Sequence, residues 1–275
     1  AERIADDPAL DLEGGAAGAI LGLVALADRT SDGVVLEVAR ECGRALLDRQ
    51  QVADDHGGAW PSRQGGMLAG LAHGASGGAL AMVRLWRRTG DDVFLESARR
   101  ALEFENTLFD PFFKNWPLRQ REDDGRIVQS MNMAAWCHGA PGIALARSCV
   151  RDVLPIAEAE GALETAVETT LAVDPGAGPD HLCCGTLGRV DVLLTVGAEL
   201  ERPVLRLEAE SRAAMVIRWA AGRGSYRLGT GRGPARPGFF RGLAGIGYQM
   251  LRLRRPDDVP SVLAFHTVDL GGRAG

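Results

Sequence analysis

Three of the five cysteines stand beside histidines in glycine-flanked settings, Ala134-Ala135-Trp136-Cys137-His138-Gly139 and Asp180-His181-Leu182-Cys183-Cys184-Gly185. Adjacent cysteines seldom bridge each other, but neighbouring thiolates can share a metal. Three thiolates favour a soft ion that prefers tetrahedral geometry, and zinc leads. Three protein ligands leave the fourth position for water or substrate, the arrangement of a catalytic site. A fourth ligand from His138 or His181 would instead close a structural site. At the level of these residues both readings stand. Cys42 and Cys149 lie in apolar-periodic helical stretches and read as core thiols. An odd cysteine count does not suit a disulfide framework, and the opening AERIADDPALD lacks the charged-then-apolar order of a secretory signal.

The elements that must position these residues are marked by glycine. A G-x-x-G element recurs as Gly15–Gly18, Gly74–Gly77, Gly139–Gly142, Gly185–Gly188 and Gly242–Gly245, each time leading into an apolar helix-like run. Successive second glycines are 59, 65, 46 and 57 residues apart, room for two helices and two connections per step. The runs after the glycines are apolar on nearly every side and predict buried inner helices. Between them, Val35–Gln50, Asp91–Asn106, the EAEGALETAVETT stretch and Val204–Ala220 carry apolar residues at three- and four-residue spacing with charges opposite, as outer helices do. Inner and outer helices alternating around a ring give an all-α fold, an α/α toroid, with the glycines at inner-helix N-termini. Strand signals are weak. Two connections, Leu108–Ala135 and Gly222–Gly238, are long enough to suggest functional loops at the ring mouth.

Each repeat carries a different group just ahead of its glycines: Asp11, then His73, Cys137, the Cys183–Cys184 pair, and Phe240-Arg241. Equivalent repeats would bring these groups to one end of the ring. The balance of 31 basic to 36 acidic residues, net −5, argues against a nucleic-acid partner, and no run of about 18 apolar residues suggests a membrane span.

These segments resemble the lanthionine synthetase C-like (LanC-like) cyclases, and most closely the C-terminal cyclase domain of class II lanthipeptide synthetases (LanM). The similarity runs nearly end to end, through DLEGGAAGAILGLVAL, GLAHGASGGALAMVRL, FKNWPLRQ, AAWCHGAPGIALAR, DHLCCGTLGRVDVLL and PGFFRGLAGIGYQMLRL. It implies an α/α toroid over residues 1–275 with Zn²⁺ at its mouth, held by Cys137, Cys183 and Cys184 as in the three-cysteine subgroup. It also implies a reaction, addition of a peptide cysteine thiol to dehydroalanine or dehydrobutyrine to close a thioether ring. His73 is then the acid/base that serves the α-carbon, and Asp11 orients it or stabilises its charge; an aspartate ahead of a helix also reads as a cap.

Some positions depart from the family. Certain members carry an arginine where this chain has Met133, four residues before the first zinc cysteine; Arg241 is the substitute at the mouth, and it also reads as a solvated loop residue. His138 and His181 become supporting or proton-relay groups. The family ring has seven inner helices and five G-x-x-G elements are found, which reads as an incomplete ring; with no dehydratase-like portion ahead of them, the chain reads as the C-terminal part of a larger cytoplasmic synthetase, beginning inside its cyclase domain. Its partners would be a dehydrated, Cys-containing precursor peptide and the dehydratase domain of the same synthetase. Two other readings stay open: a LanC-like protein that adds glutathione or another thiol to dehydroamino acids, and a zinc-stabilised binding scaffold without turnover.

Overall fold

A computed structural model of the chain describes residues 8–53, 57–63, 66–121, 127–154, 157–229 and 236–267. They divide between two compact units, residues 1–171 and 172–275.

In the first unit α1 (Ala16–Thr30) and α2 (Gly33–Arg49) form an antiparallel pair, as do α3 (Ala75–Thr89) and α4 (Asp92–Thr107); α5 (Ala140–Val150) and α6 (Ala157–Ala172) follow. The helices after the glycines pack in sequence, α1 against α3 and α3 against α5, while α2 and α4 cover α1 and α3 from outside. In the second unit α7 (Thr186–Glu199) packs against α8 (Pro203–Arg223) and against α9 (Leu243–Arg254). Inner and outer helices thus alternate as their periodicities require. α2 buries Ala39, Cys42, Gly43 and Leu46, one three- to four-residue stripe, and its first turn is capped by the Asp32 carboxylate at the Val34 N–H. Cys42 and Cys149 are both buried, as expected of core thiols.

The expectation of inner helices buried on every side holds for α5 and α7 and for most of α3. It does not hold for α1 and α9. α1 buries Ala17, Ile20, Leu21, Val24 and Ala27 and leaves Leu26 exposed; α9 buries Gly245, Ile246, Gln249 and Arg252 and leaves Leu243 and Leu251 exposed. Each lies at an end of the repeat series.

The connection read as a long loop from Leu108 to Ala135 contains an antiparallel hairpin of β3 (Leu118–Arg121) and β4 (Ile127–Met131). A second small ladder joins β1 (Gln51–Val52) to β2 (Gly58–Ala59). Strands this short gain their stability from pairing, so local sequence carries little sign of them. In the other long connection α8 runs on to Arg223, and residues 230–235 lie outside the described residues. Among the described residues no helix is long and apolar enough to cross a membrane.

Candidate functional site

The G-x-x-G elements are cap turns with a common geometry. The first glycine caps the helix, and the second sits inside its first turn. At all five second glycines a Cβ would collide with the carbonyl oxygen six residues earlier: Leu12 for Gly18, Leu71 for Gly77, Trp136 for Gly142, Leu182 for Gly188 and Phe239 for Gly245. The loop folds back so closely over the helix start that no side chain fits between them. In four repeats the first helical N–H reaches the carbonyl seven residues back, as from Ala75 to Leu68 at 2.9 Å and from Thr186 to Pro179 at 3.0 Å.

The third repeat departs from this pattern. The Ala140 N–H donates to Asn115 Oδ1 at 2.8 Å, and Asn115 Nδ2 donates to the Met133 carbonyl, also at 2.8 Å. The buried Asn115 amide is therefore inserted into the bond that closes the other turns, and Gly139 takes up the change with φ +82°, in the left-handed region. Met133, which the resemblance singled out for its side chain, contributes its backbone carbonyl here. No sequence pattern marked Asn115, although it lies within the FKNWPLRQ segment.

Neighbouring loops are stitched together at one level, each stitch ending on the carbonyl five residues before a second glycine. In the first unit the Leu12 and Glu13 N–H groups donate to Ala72, and the Ala72 N–H donates to Cys137; in the second the Cys183 N–H donates to Phe240. Beneath the second loop the buried Glu105 carboxylate accepts from the Gly70 N–H at 2.9 Å, from the Ser76 hydroxyl and from Arg147 at 2.9 Å. Gly70 has φ +104°, and a side chain there would press on the Cys137 carbonyl and on His138. The loop that carries His73 is thus fixed from below and on both flanks.

His73 Nδ1 lies 2.9 Å from Asp11 Oδ2, while Asp11 Oδ1 accepts the Gly14 N–H at 2.9 Å. One oxygen of Asp11 closes the turn ahead of α1 without capping the helix, whose N-cap Gly15 takes no side-chain bond, and the other lies against the imidazole. Burial works to raise the Asp11 carboxyl, but the His73 and Gly14 hydrogen bonds and the nearby Arg63 charge outweigh it and hold the group below the ordinary carboxylate value. His73 Nε2 lies 2.8 Å from Glu13 Oε2, a contact the sequence did not suggest. The His138 ring lies 5.3 Å from the His73 ring, centre to centre. Asp11, Glu13, Gly14, Ser62, Arg63 and His73 line a cavity of about 180 Å³.

Cys137 is buried in the third loop; in the second unit Cys183 is buried and Cys184 half-buried in the fourth. Cys137 and Cys183 hold the same place, five residues before Gly142 and Gly188, and Cys184 holds the place of His73 and His138, one residue later. The three thiols are a donor set suited to a metal ion. In the second unit the buried Asp180 draws the fourth loop and the chain after α8 together, accepting from Arg223 at 3.1 Å, from the Arg227 N–H at 2.7 Å and from its guanidinium at 3.0 Å. Burial pushes the His181 imidazole down, toward its neutral form. Arg241 is exposed in the fifth loop.

A family model described as lanthionine synthetase C-like protein matches residues 1–264. Over 196 residues the chain is 26% identical to the lacticin 481/lactococcin biosynthesis protein LcnDR2 of Lactococcus lactis subsp. lactis, a match that covers 67% of the chain and 20% of that protein. Its fold is similar to that of the solved structure of nisin cyclase, with a TM-score of 0.69 and 14% identity, covering 94% of the chain and 66% of that one. The chain thus spans about one fifth of the curated relative. It shares with nisin cyclase the all-α, α/α fold expected from the repeats.

Proposed function

Because the chain belongs to the lanthionine synthetase C-like family, we propose that it is a zinc-dependent lanthionine cyclase, the cyclase portion of a class II synthetase acting in the cytoplasm. Its substrate is a precursor peptide in which dehydratase chemistry has made dehydroalanine or dehydrobutyrine from Ser or Thr. The observation that carries this reading is the His73–Asp11 pair, held on loops of the same glycine-marked series that bears Cys137, Cys183 and Cys184.

Zinc bound by these three thiols would lower the pKa of a peptide thiol and present it as a thiolate near neutral pH. The donor set fits the ion, since it is all thiol and largely buried. Attack of the substrate sulfur on the β-carbon forms the C–S bond and moves the C=C electron pair onto the adjoining carbonyl as an enolate. The α-carbon then needs one proton. His73 supplies it as imidazolium, and Asp11, ionised and bonded at Nδ1, fixes the ring plane and favours the charged form.

Cyclisation leaves the mass unchanged, so the test is thiol alkylation followed by mass spectrometry of a dehydrated, Cys-containing peptide incubated with the zinc-loaded protein. Loss of alkylatable thiol without adduct mass is expected, and His73→Asn should slow it by about 10²-fold or more. Full retention of free thiol by folded, zinc-loaded protein would overturn the reading in favour of a binding scaffold. A glutathione adduct formed in preference to the ring would favour intermolecular thiol addition.

A further inference from the structure

We propose that Glu13 is a positioning residue that covers the Nε2 edge of His73 in the free site and yields that edge to the substrate carbonyl. The inference rests on the cyclase reading for its substrate and on geometry for the contact itself.

Three observations carry it. Glu13 Oε2 lies 2.8 Å from Nε2 while Asp11 Oδ2 lies 2.9 Å from Nδ1, so the imidazole is held edge to edge between two carboxylates. Ionised carboxylates accept and do not donate, so each contact is a hydrogen bond when the ring nitrogen facing it carries its proton. The approach is fixed by the backbone: the Leu12 and Glu13 N–H groups both bind the carbonyl of Ala72, the residue next to His73, at 3.0 and 3.3 Å. Glu13 also occupies the loop place that holds Cys137 and Cys183 in later repeats, five residues before the second glycine.

The two carboxylates differ in what holds them. Asp11 is 17% exposed and tied a second time to the Gly14 N–H; the Glu13 side chain is 53% exposed and lines the cavity shared with Ser62 and Arg63. Asp11 is the fixed partner and Glu13 the displaceable one. An incoming dehydroamino acid needs a hydrogen bond at its carbonyl oxygen, which gains negative charge as the thiolate adds; Nε2–H is the donor Glu13 vacates, and the same proton then passes from beside that oxygen to the adjoining α-carbon. Arg63, whose charge acts on Asp11, lines the same cavity, and the His138 ring lies 5.3 Å from that of His73. Glu13 is the group in contact with Nε2, and the carbonyl replaces it there.

The test compares the zinc-loaded wild-type chain with Glu13→Ala and Glu13→Gln. Carbethoxylation of His73 by diethyl pyrocarbonate, mapped by mass spectrometry, reads the covered edge without any turnover. It should rise about tenfold in Glu13→Ala, because a carboxylate at this distance both shields the ring and favours its unreactive charged form, with a smaller rise in Glu13→Gln. An unchanged rate overturns the clamp. In the thiol-consumption assay Glu13→Ala should lower KM for the dehydrated peptide several-fold, and an unchanged or higher KM overturns displacement by substrate. Should the wild-type chain consume no thiol at all, the cyclase reading fails and the carbethoxylation result still decides whether Glu13 covers His73.

Discussion

Asn115 Nδ2 donates to the carbonyl oxygen of Met133 across 2.8 Å, and the same side chain takes the Ala140 N–H on its other atom. One buried amide therefore replaces the backbone bond that closes the equivalent turns, in the repeat that carries Cys137. Asn115→Ala would leave a buried N–H and C=O without partners, each costing about 1–3 kcal/mol. Chemical denaturation should show a loss of about 2 kcal/mol or more; under the proposed function, zinc affinity measured by chelator competition should also fall about 10–100-fold, the range for groups that orient metal ligands. Unaltered zinc affinity would show that the turn does not position the thiol.

The glycines separate into two kinds. At Gly77 a Cβ would collide with the Leu71 carbonyl, whereas at Gly22, inside α1, it would meet nothing within 4 Å. Gly77→Ala should therefore destabilise the first unit severely or abolish its folding. Gly22→Ala should raise stability by about 1 kcal/mol through helix propensity. Opposite shifts in thermal unfolding midpoint are the expected result.

Glu105 and Arg147 pair at 2.9 Å with side-chain exposures of 0% and 2%. Glu105→Gln keeps an acceptor for the Gly70 and Ser76 donors but strands the Arg147 charge in the interior. A loss of about 3–5 kcal/mol is expected. The exposed Arg44–Glu37 pair, at the same 2.9 Å, should cost less than about 1 kcal/mol when Glu37 is changed to Gln. Urea unfolding of the two variants side by side checks the contrast.

Asp11 titrates below its ordinary value in the folded chain. A depressed carboxyl contributes stability that is present above its unfolded pKa, about 4, and is lost as pH falls through the lower folded pKa. The stability gap between wild type and Asp11→Asn should accordingly hold from about pH 5.5, where the imidazole is charged, down to about 4 and close below it. Urea midpoints measured across that interval would show it, and a gap that persists under strong acid would assign Asp11 a purely neutral hydrogen-bonding role.

Three thiolates around a divalent ion leave a net negative charge, which makes an added substrate thiolate electron-rich. Under the proposed function, Cys184→His removes one of those charges and should slow thiol addition while zinc is retained. Equal rates and an equal ring pattern at full metal occupancy would remove the charge argument. Stripping the metal with a chelator should stop thiol consumption in both proteins and restore it on readdition of zinc.

Much of this arrangement was legible in the residues alone. The G-x-x-G spacing located the inner helices because a loop that folds onto a helix start excludes any side chain at one position, and that exclusion is written in glycine every time. The 3.6-residue stripes of α2, α4 and α8 identified the outer helices, and register against the glycines placed Asp11, His73, Cys137, Cys183 and Cys184 on corresponding loops. Burial of α1 and α9 was not legible, because an apolar face has the same sequence whether or not a neighbour covers it. Nor were Glu13, Asn115 or the Glu105–Arg147 pair, whose partners lie 60, 25 and 42 residues away along the chain. A polar side chain at such a distance leaves no periodic trace, and only the folded backbone decides which donor and acceptor meet. Glycine spacing and apolar stripes are local and so fix which helices form; which side chain meets which is settled only when distant segments pack.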